Sequence, residues 1–231
     1  VGAKKPRRVL RGHRARIIGA AFLRKKPALV SVSSDGIAIL WSTKTGKRLA
    51  RMRVGRGTAT AMALSRSRDL LAVGWKNKKI TLWDLTKAST GKARATRKLS
   101  GHSRAVTSLA FSPNGRLLAS GSVDRTIALW KVKNGKRIRV LHGHRKDEYA
   151  RRANGHLGVL DLAFSPNGRL LASVGADNRI LLWRVKGGKR LHAEDGQIFV
   201  NSLAFSANGR LLASGGTDGT IVLWKVAKLL G

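Results

Sequence analysis

In the stretch Val-Thr-Ser-Leu-Ala-Phe-Ser from Val106, the positions Val106, Ser108, Ala110 and Ser112 face one way, and Thr107, Leu109 and Phe111 the other. A side-chain period of two belongs to a β-strand. Short apolar runs at Leu117 and Ile127 predict two more strands, joined by turns at Pro113-Asn114-Gly115 and around Asp124. A fourth, more polar strand is predicted over Arg137 to Leu141, introduced by Asn134-Gly135, a pair that accepts the backbone of a tight turn. No segment shows a 3.6-residue period, so almost no helix is expected.

This four-strand unit recurs. Phe-Ser-Pro-Asn-Gly-Arg-Leu-Leu-Ala-Ser, from Phe111, returns from Phe164 and, with one change, from Phe205, each time followed by an Asp-containing turn and an apolar run ending in Trp. Two weaker copies carry Trp41 and Trp83, so Trp41, Trp83, Trp130, Trp183 and Trp224 mark five units. A period of roughly 40–50 residues is that of a four-stranded propeller blade. The repeats divide as 8–50, 51–97, 98–140, 141–190 and 191–231 of a single domain, with a basic insertion over 145–154.

At these residues the sequence resembles the WD40 repeat family, over nearly the entire chain. The opening Gly-His of the family pattern is matched by Gly12-His13, Gly101-His102, Gly143-His144 and Gly155-His156; the closing Trp-Asp survives only as Trp83-Asp84, the other tryptophans being followed by Ser42, Lys131, Arg184 and Lys225. The resemblance implies an all-β propeller of five four-stranded blades, closed when the N-terminal strand, Arg8 to Leu10, completes the last blade. An arc, or part of a seven-bladed ring, is the alternative. It also implies a buried His, Ser or Thr, Asp and Trp tetrad in each blade: His13, Ser31, Asp35 and Trp41; His102, Ser120, Asp124 and Trp130; then Ser173, Asp177 and Trp183, and Ser214, Asp218 and Trp224. The second unit departs, with Gly55, Val73 and Asn77 at the His, Ser and Asp positions, and the fifth has Gly196 for His. These two blades are expected to be the softer ones.

Charge changes the picture most. Of 231 residues, 47 are Lys or Arg and 11 Asp or Glu, a formal charge of +36, while the 42% apolar fraction is enough for a core. With four aspartates assigned to the tetrads and Asp84 to a strand end, six acids remain for the surface. Lys and Arg resist unpaired burial, so nearly all of them must lie outside and unneutralised. On the propeller, the loops between first and second and between third and fourth strands share one face. They carry Arg24, Lys25, Lys26, Lys44, Lys47, Arg48, Lys87, Lys92, Arg94, Lys136, Arg137, Lys186, Lys189 and Arg190; the insertion adds Arg145, Lys146, Arg151 and Arg152 around Tyr149. The opposite rim holds Arg14, Arg16, Arg56, Lys78, Arg104, Arg125 and Arg179. Any one such cluster reads as a solvated face, but the sum does not, because ordinary surfaces mix signs.

A polyanion is therefore the expected partner. Basic groups on both faces point to folded RNA of a ribonucleoprotein assembly, a ribosome being the most economical example, and the alternative is a protein-interaction scaffold for acidic partners or peptides. Aromatics make up 5% of the chain and mostly mark blades, leaving Trp75 and Tyr149 as the ones expected outside and base stacking poorly supplied. Cysteine is absent, which excludes disulfides and thiolate chemistry. His142, His144 and His156 lie close together, yet two of them open Gly-His loops, so a metal is not expected; Asp147-Glu148 and Glu194-Asp195 read as surface charge and not as a general acid and base. The Ser-Pro-Asn-Gly turns lack the lysine and helix of a phosphate loop. The expectation is a non-enzymatic protein with no cofactor and no small-molecule substrate. No apolar run approaches the ~20 residues of a membrane helix, and a chain opening on Val1 fits a processed or truncated product.

Overall fold

The computed structural model describes residues 8–24, 26–65, 67–90, 93–146, 158–195 and 200–230. They form five antiparallel sheets in chain order. The first contains β1 (Ile17–Phe22), β2 (Ala28–Ser33), β3 (Ile37–Ser42) and β4 (Arg48–Arg53); the second β5 (Ala59–Ser65), β6 (Leu70–Trp75), β7 (Ile80–Asp84) and β8 (Arg94–Leu99). The third has β9 (Val106–Phe111), β10 (Leu117–Ser122), β11 (Thr126–Lys131) and β12 (Arg137–His142), and the fourth β13 (Val159–Phe164), β14 (Leu170–Gly175), β15 (Arg179–Arg184) and β16 (Arg190–Asp195). The fifth has three strands, β17 (Val200–Phe205), β18 (Leu211–Gly216) and β19 (Ile221–Lys225). Helix is confined, among the described residues, to two 3-10 turns, Ala88–Thr90 and Val226–Leu229. No helix among them is long and apolar enough to cross a membrane.

Each blade packs face to face on the next. The first strands β1, β5, β9, β13 and β17 are neighbours in that order, and Thr60 Oγ1 donates to the Val106 carbonyl of the following blade at 2.6 Å. Thr107 Oγ1 repeats the bond with the Val159 carbonyl. Such close approach needs glycine opposite: a Cβ on Gly74 would lie 2.6 Å from Val106 Cγ1, and one on Gly121 2.6 Å from Val159 Cγ1. The core accordingly sits between sheets. Leu118, Ala128 and Trp130 of the third blade pack with Leu82 and Leu99 of the second, while Leu182 and Ile180 of the fourth pack with Leu203 and Leu212 of the fifth.

The fourth strand of the fifth blade is where sequence and structure differ. Among the described residues Arg8–Leu10 is not in a sheet, no strand pairs with the outer edge of β19, and β17 has no contact with β1 comparable to those between successive blades. The segment instead lies against the first blade, Leu10 packing on Ile37, Ile39 and Trp41. A side chain at Gly46 would meet Arg8 and Leu10, as one at Gly135 would meet Arg97 and Leu99 and one at Gly188 would meet Arg139 and Leu141. Arg8–Leu10 thus occupies the site of a preceding blade's outer strand, held by apolar contacts to blade one and lacking its ladder. The described chain is an arc of five blades, compatible with the alternative reading of the sequence.

Among the described residues the first and last sheets expose apolar side chains. Ile221 is 75% and Leu223 64% exposed on β19, whereas the corresponding Ile180 and Leu182 are buried; at the other end Ile17 and Phe22 of β1 are exposed. Truncation should therefore cost very different amounts at equivalent positions. Ile180→Ala is expected to destabilise by about 2–5 kcal/mol, and Ile221→Ala to change stability by no more than about 0.5 kcal/mol. Urea unfolding of the two variants checks this, and equal losses would mean that the terminal face is covered in solution.

Candidate functional site

The blade locks come first, because they fix the loops that carry the charge. In the third blade Trp130 Nε1 donates to Ser120 Oγ at 2.8 Å, Ser120 Oγ lies 2.7 Å from His102 Nε2, and His102 Nδ1 lies 3.0 Å from Asp124 Oδ2. Asp124 also accepts from the Ser103 and Thr126 N–H groups and the Thr126 hydroxyl. Burial pushes its pKa up, but the bonds from His102, Thr126 and Ser103 outweigh burial and hold the carboxyl well below its ordinary 3.8. The fourth blade repeats the chain through Trp183, Ser173, His144 and Asp177, at 2.9, 2.9 and 2.8 Å. Asp177, with burial opposing and the His144 and backbone bonds prevailing, is likewise lowered.

The other locks are looser. In the first, His13 Nε2 meets Ser31 Oγ at 2.7 Å and Trp41 bonds Ser31 at 2.8 Å, but His13 Nδ1 meets Ser33 Oγ, which in turn donates to Asp35. Asp35 is exposed and does not touch the imidazole, a correction to its assignment as buried; the serine at position 33 stands between them. In the fifth, Trp224 bonds Ser214 at 2.9 Å while the exposed Asp218 bonds Thr220; Gly196 lies outside the described residues. In the second, the Val54 carbonyl replaces the serine, accepting from Trp83 Nε1 at 3.0 Å and from Thr81 Oγ1. Trp75 fills the histidine's place. It is 2% exposed, not on the surface as expected, its Nε1 donates to Thr81, and a Cβ on Gly55 would lie 2.2 Å from its ring. The glycine reads in sequence as a loss, yet it makes room for the indole.

His144, and not the Gly155-His156 pair outside the described residues, supplies the fourth imidazole. It stands 29 residues before Ser173, against 18 for His13 and His102 before their serines; the insertion lies inside the loop, so spacing alone pointed past it. Both ring nitrogens of His144 are taken by Ser173 and Asp177. His142 is exposed at the end of β12, paired with Thr126. Glu194 bonds His192 at 2.8 Å, and Asp147, Glu148 and Tyr149 lie outside the described residues.

Two of the six acids assigned to the outside are turned inward instead. Asp69 is 6% exposed. Asp161, in β13, accepts the Leu203 N–H of the fifth blade and its neighbour Leu162 N–H, both at 2.8 Å; burial, outweighing those bonds, raises its pKa. It replaces the Ser108 of the third blade, a position that sequence alone did not mark. The surface is thus poorer in acid than composition implied.

The basic side chains remain outside. Arg24, Lys44, Lys47, Arg48, Arg94, Lys136, Lys186, Lys189 and Arg190 are exposed on the loop face, and Arg145 and Lys146 at the opposite end of the fourth blade. Lys25, Lys92, Arg151 and Arg152 lie outside the described residues. Two candidates are already engaged: Lys26 Nζ donates to the Thr86 carbonyl of the next blade, and Arg137 Nη1 to the Gly101 carbonyl at 2.7 Å. Arg97, which sequence did not single out, donates to the Lys133 carbonyl at 2.6 Å. Among the described residues a single Lys or Arg, Arg179, has a carboxylate partner, Asp195 at 3.5 Å. No other described Lys or Arg stands within ion-pair distance of a carboxylate.

Fold and surface charge together define a strongly basic repeat protein of propeller-type blades. The family model described as "WD domain, G-beta repeat" matches residues 4–42, 93–131, 135–184 and 188–225, and the chain belongs to this WD40 family. The unmatched unit is the second, where Trp75 stands in for the lock. The chain is 37% identical over 94 residues to eukaryotic translation initiation factor 3 subunit I of Pyricularia oryzae, covering 41% of this chain and 24% of that protein. The same subunit of Neurospora crassa is 38% identical over 97 residues, 42% of this chain and 25% of its own length. A guanine nucleotide-binding protein subunit beta of Saccharomyces cerevisiae is 26% identical over 180 residues, 78% of this chain and 41% of that protein. The chain therefore matches less than half the length of each relative.

The locks set a pH response. A carboxyl lowered in the folded state contributes stability that is complete above its unfolded pKa, here near 3.8, and is lost as pH falls through the folded value. Acidification below about pH 4 is expected to weaken the third and fourth blades through Asp124 and Asp177. A double Asp124→Asn, Asp177→Asn variant should start less stable at neutral pH and lose less on acidification, followed by tryptophan fluorescence in urea at a series of pH values.

Proposed function

We propose that the chain is a non-enzymatic docking scaffold whose cationic loop face and rim engage acidic surfaces of partner proteins. The observation that carries this is the imbalance of the surface: a formal charge of +36 with one Lys or Arg ion pair among the described residues. Two further features support it. The relatives it resembles are named as subunits, of a translation initiation factor and of a guanine nucleotide-binding protein. And the locks consume their own imidazoles and carboxylates, leaving a rigid frame under loops of lysine and arginine, which suits electrostatic capture of a folded acidic surface.

RNA of a ribonucleoprotein assembly is the second reading, favoured by the presence of basic side chains on both faces and the rim, as counterion release rewards any phosphate-rich partner. Burial of Trp75 takes away one of the two aromatics expected to offer bases a stacking surface. The two readings part on what the protein retains from cells at low salt. Acidic proteins and a protein-like ultraviolet spectrum are expected; an absorbance ratio typical of nucleic acid that salt returns to normal would transfer the reading to RNA. Reversal of Lys44, Lys47, Lys186 and Lys189 to Glu should lower affinity for poly-L-glutamate by about tenfold or more at low salt, given a few tenths of a kcal/mol to about 1 kcal/mol per exposed pair. Unchanged affinity would remove the loop face from the account.

A further inference from the structure

We propose that a groove between the third and fourth blades, on the loop face, receives an extended acidic segment of a partner protein by way of one small or medium apolar side chain. The inference deepens the acidic-partner reading and rests on it. The groove measures about 790 Å³. Its floor is Leu117 and Ile138 of the third blade with Leu170, Val185 and Leu191 of the fourth, all half-buried. Around them stand Arg139, Arg169, Arg184 and Lys186, each exposed, and no acid lines the groove. Among the described residues the charged ends of these four make no hydrogen bond and no ion pair. An apolar floor within a cationic rim is complementary to an apolar anchor flanked by carboxylates, and the floor gives a sugar-phosphate chain nothing to bury.

The protein itself shows what fills such a groove. At the equivalent place between the first and second blades, the loop from Thr86 to Ala93 is four residues longer than Lys186 to Lys189. Its 3-10 turn lays Ala88, fully buried, on β4, in a cluster with Leu23, Ala50 and Leu85. Ala50 corresponds to Arg139 in the repeat, since each pairs with the residue before the blade tryptophan, Leu40 and Leu129, as Arg97 does with Leu82; Leu85 and Val185 each stand two residues after that tryptophan. Between the second and third blades the arginine equivalent to Arg139 is Arg97, which bridges to the Lys133 carbonyl. Only at blades three and four, among the described residues, are both fillings missing: the loop is short and Arg139 is uncommitted.

The test compares two short fluorescent peptides of aspartate and glutamate, one with a central Leu-Ala pair and one with Ser-Ser there. The wild-type protein is expected to bind the apolar-centred peptide about tenfold more tightly, the worth of burying one such side chain. Replacing Lys186–Lys189 by the sequence of Thr86–Ala93 exchanges two lysines for two and fills the groove. It should bring the two peptides to equal affinity. Ile138→Ser, at a half-buried position at the margin of the core, should cut the preference in the same direction should the loop exchange fail to fold. Equal binding of both peptides by the wild type overturns the groove and leaves the acidic-partner scaffold standing; binding of neither overturns both. A preference that survives the loop exchange overturns the groove, as does poly-uridine binding that the exchange abolishes, which would hand the groove to RNA.

Discussion

No blade of this protein can bury its own apolar faces. A three- or four-stranded sheet of six-residue strands has two sides, and each side finds cover only on the neighbouring sheet. The close approach that makes this cover effective depends on glycines facing β-branched side chains, Gly74 against Val106 and Gly121 against Val159. It also depends on a threonine hydroxyl from one first strand reaching a carbonyl of the next. Stability is then a sum over interfaces, with the interior blades enclosed on both sides and the terminal ones on one. The exposed Ile221 and Leu223, beside the unpaired edge of β19, are the direct expression of that rule. Arg8–Leu10 shows its converse: an outer strand can take its place on the following blade through apolar packing alone, before any ladder is made.

The locks serve a different purpose from the interfaces. In the first, third and fourth blades one serine hydroxyl meets both the indole and the imidazole, so that a polar chain runs through an otherwise apolar sheet. In the third and fourth blades the chain ends on a carboxylate that also gathers the N–H groups of the loop, so the imidazole and the turn are fixed by the same anion. The second blade reaches a comparable result without histidine or aspartate: the Val54 carbonyl accepts from the Trp83 and Thr81 side chains, and the buried Trp75 indole donates to the Thr81 hydroxyl. A missing motif residue is therefore not a missing lock.

Much of this was legible in the chain. The period-two alternation and the tryptophan spacing located the strands. What the sequence could not convey was partnering at a distance. Trp75 looks like a surplus aromatic until Gly55, twenty residues earlier, is seen to make room for it. Asp161 is one acid among few until the Leu203 N–H of another blade is found against it. Lys26 and Arg137 count as free cations in composition, and each is spent on a backbone carbonyl. The fourth-blade histidine was hidden because an insertion displaced it from the common spacing, and Arg8–Leu10 has the sequence of an outer strand without, among the described residues, its pairing.

Charge alone gives this protein reach without discrimination: long-range attraction speeds encounter with any polyanion, and salt weakens it for all of them together. Specificity needs a short-range contact that some anions can make and others cannot. Apolar ground within the cationic surface is the feature that supplies one. The repeat shows how such ground is normally hidden, by a longer loop in one groove and a bridging arginine in the next. Where neither is present, the enclosing cations face a floor that water covers poorly. On the proposed reading, a partner whose acidic residues flank an apolar one would satisfy both, and the arginines that would repel a neighbouring copy of the chain would hold that partner in register.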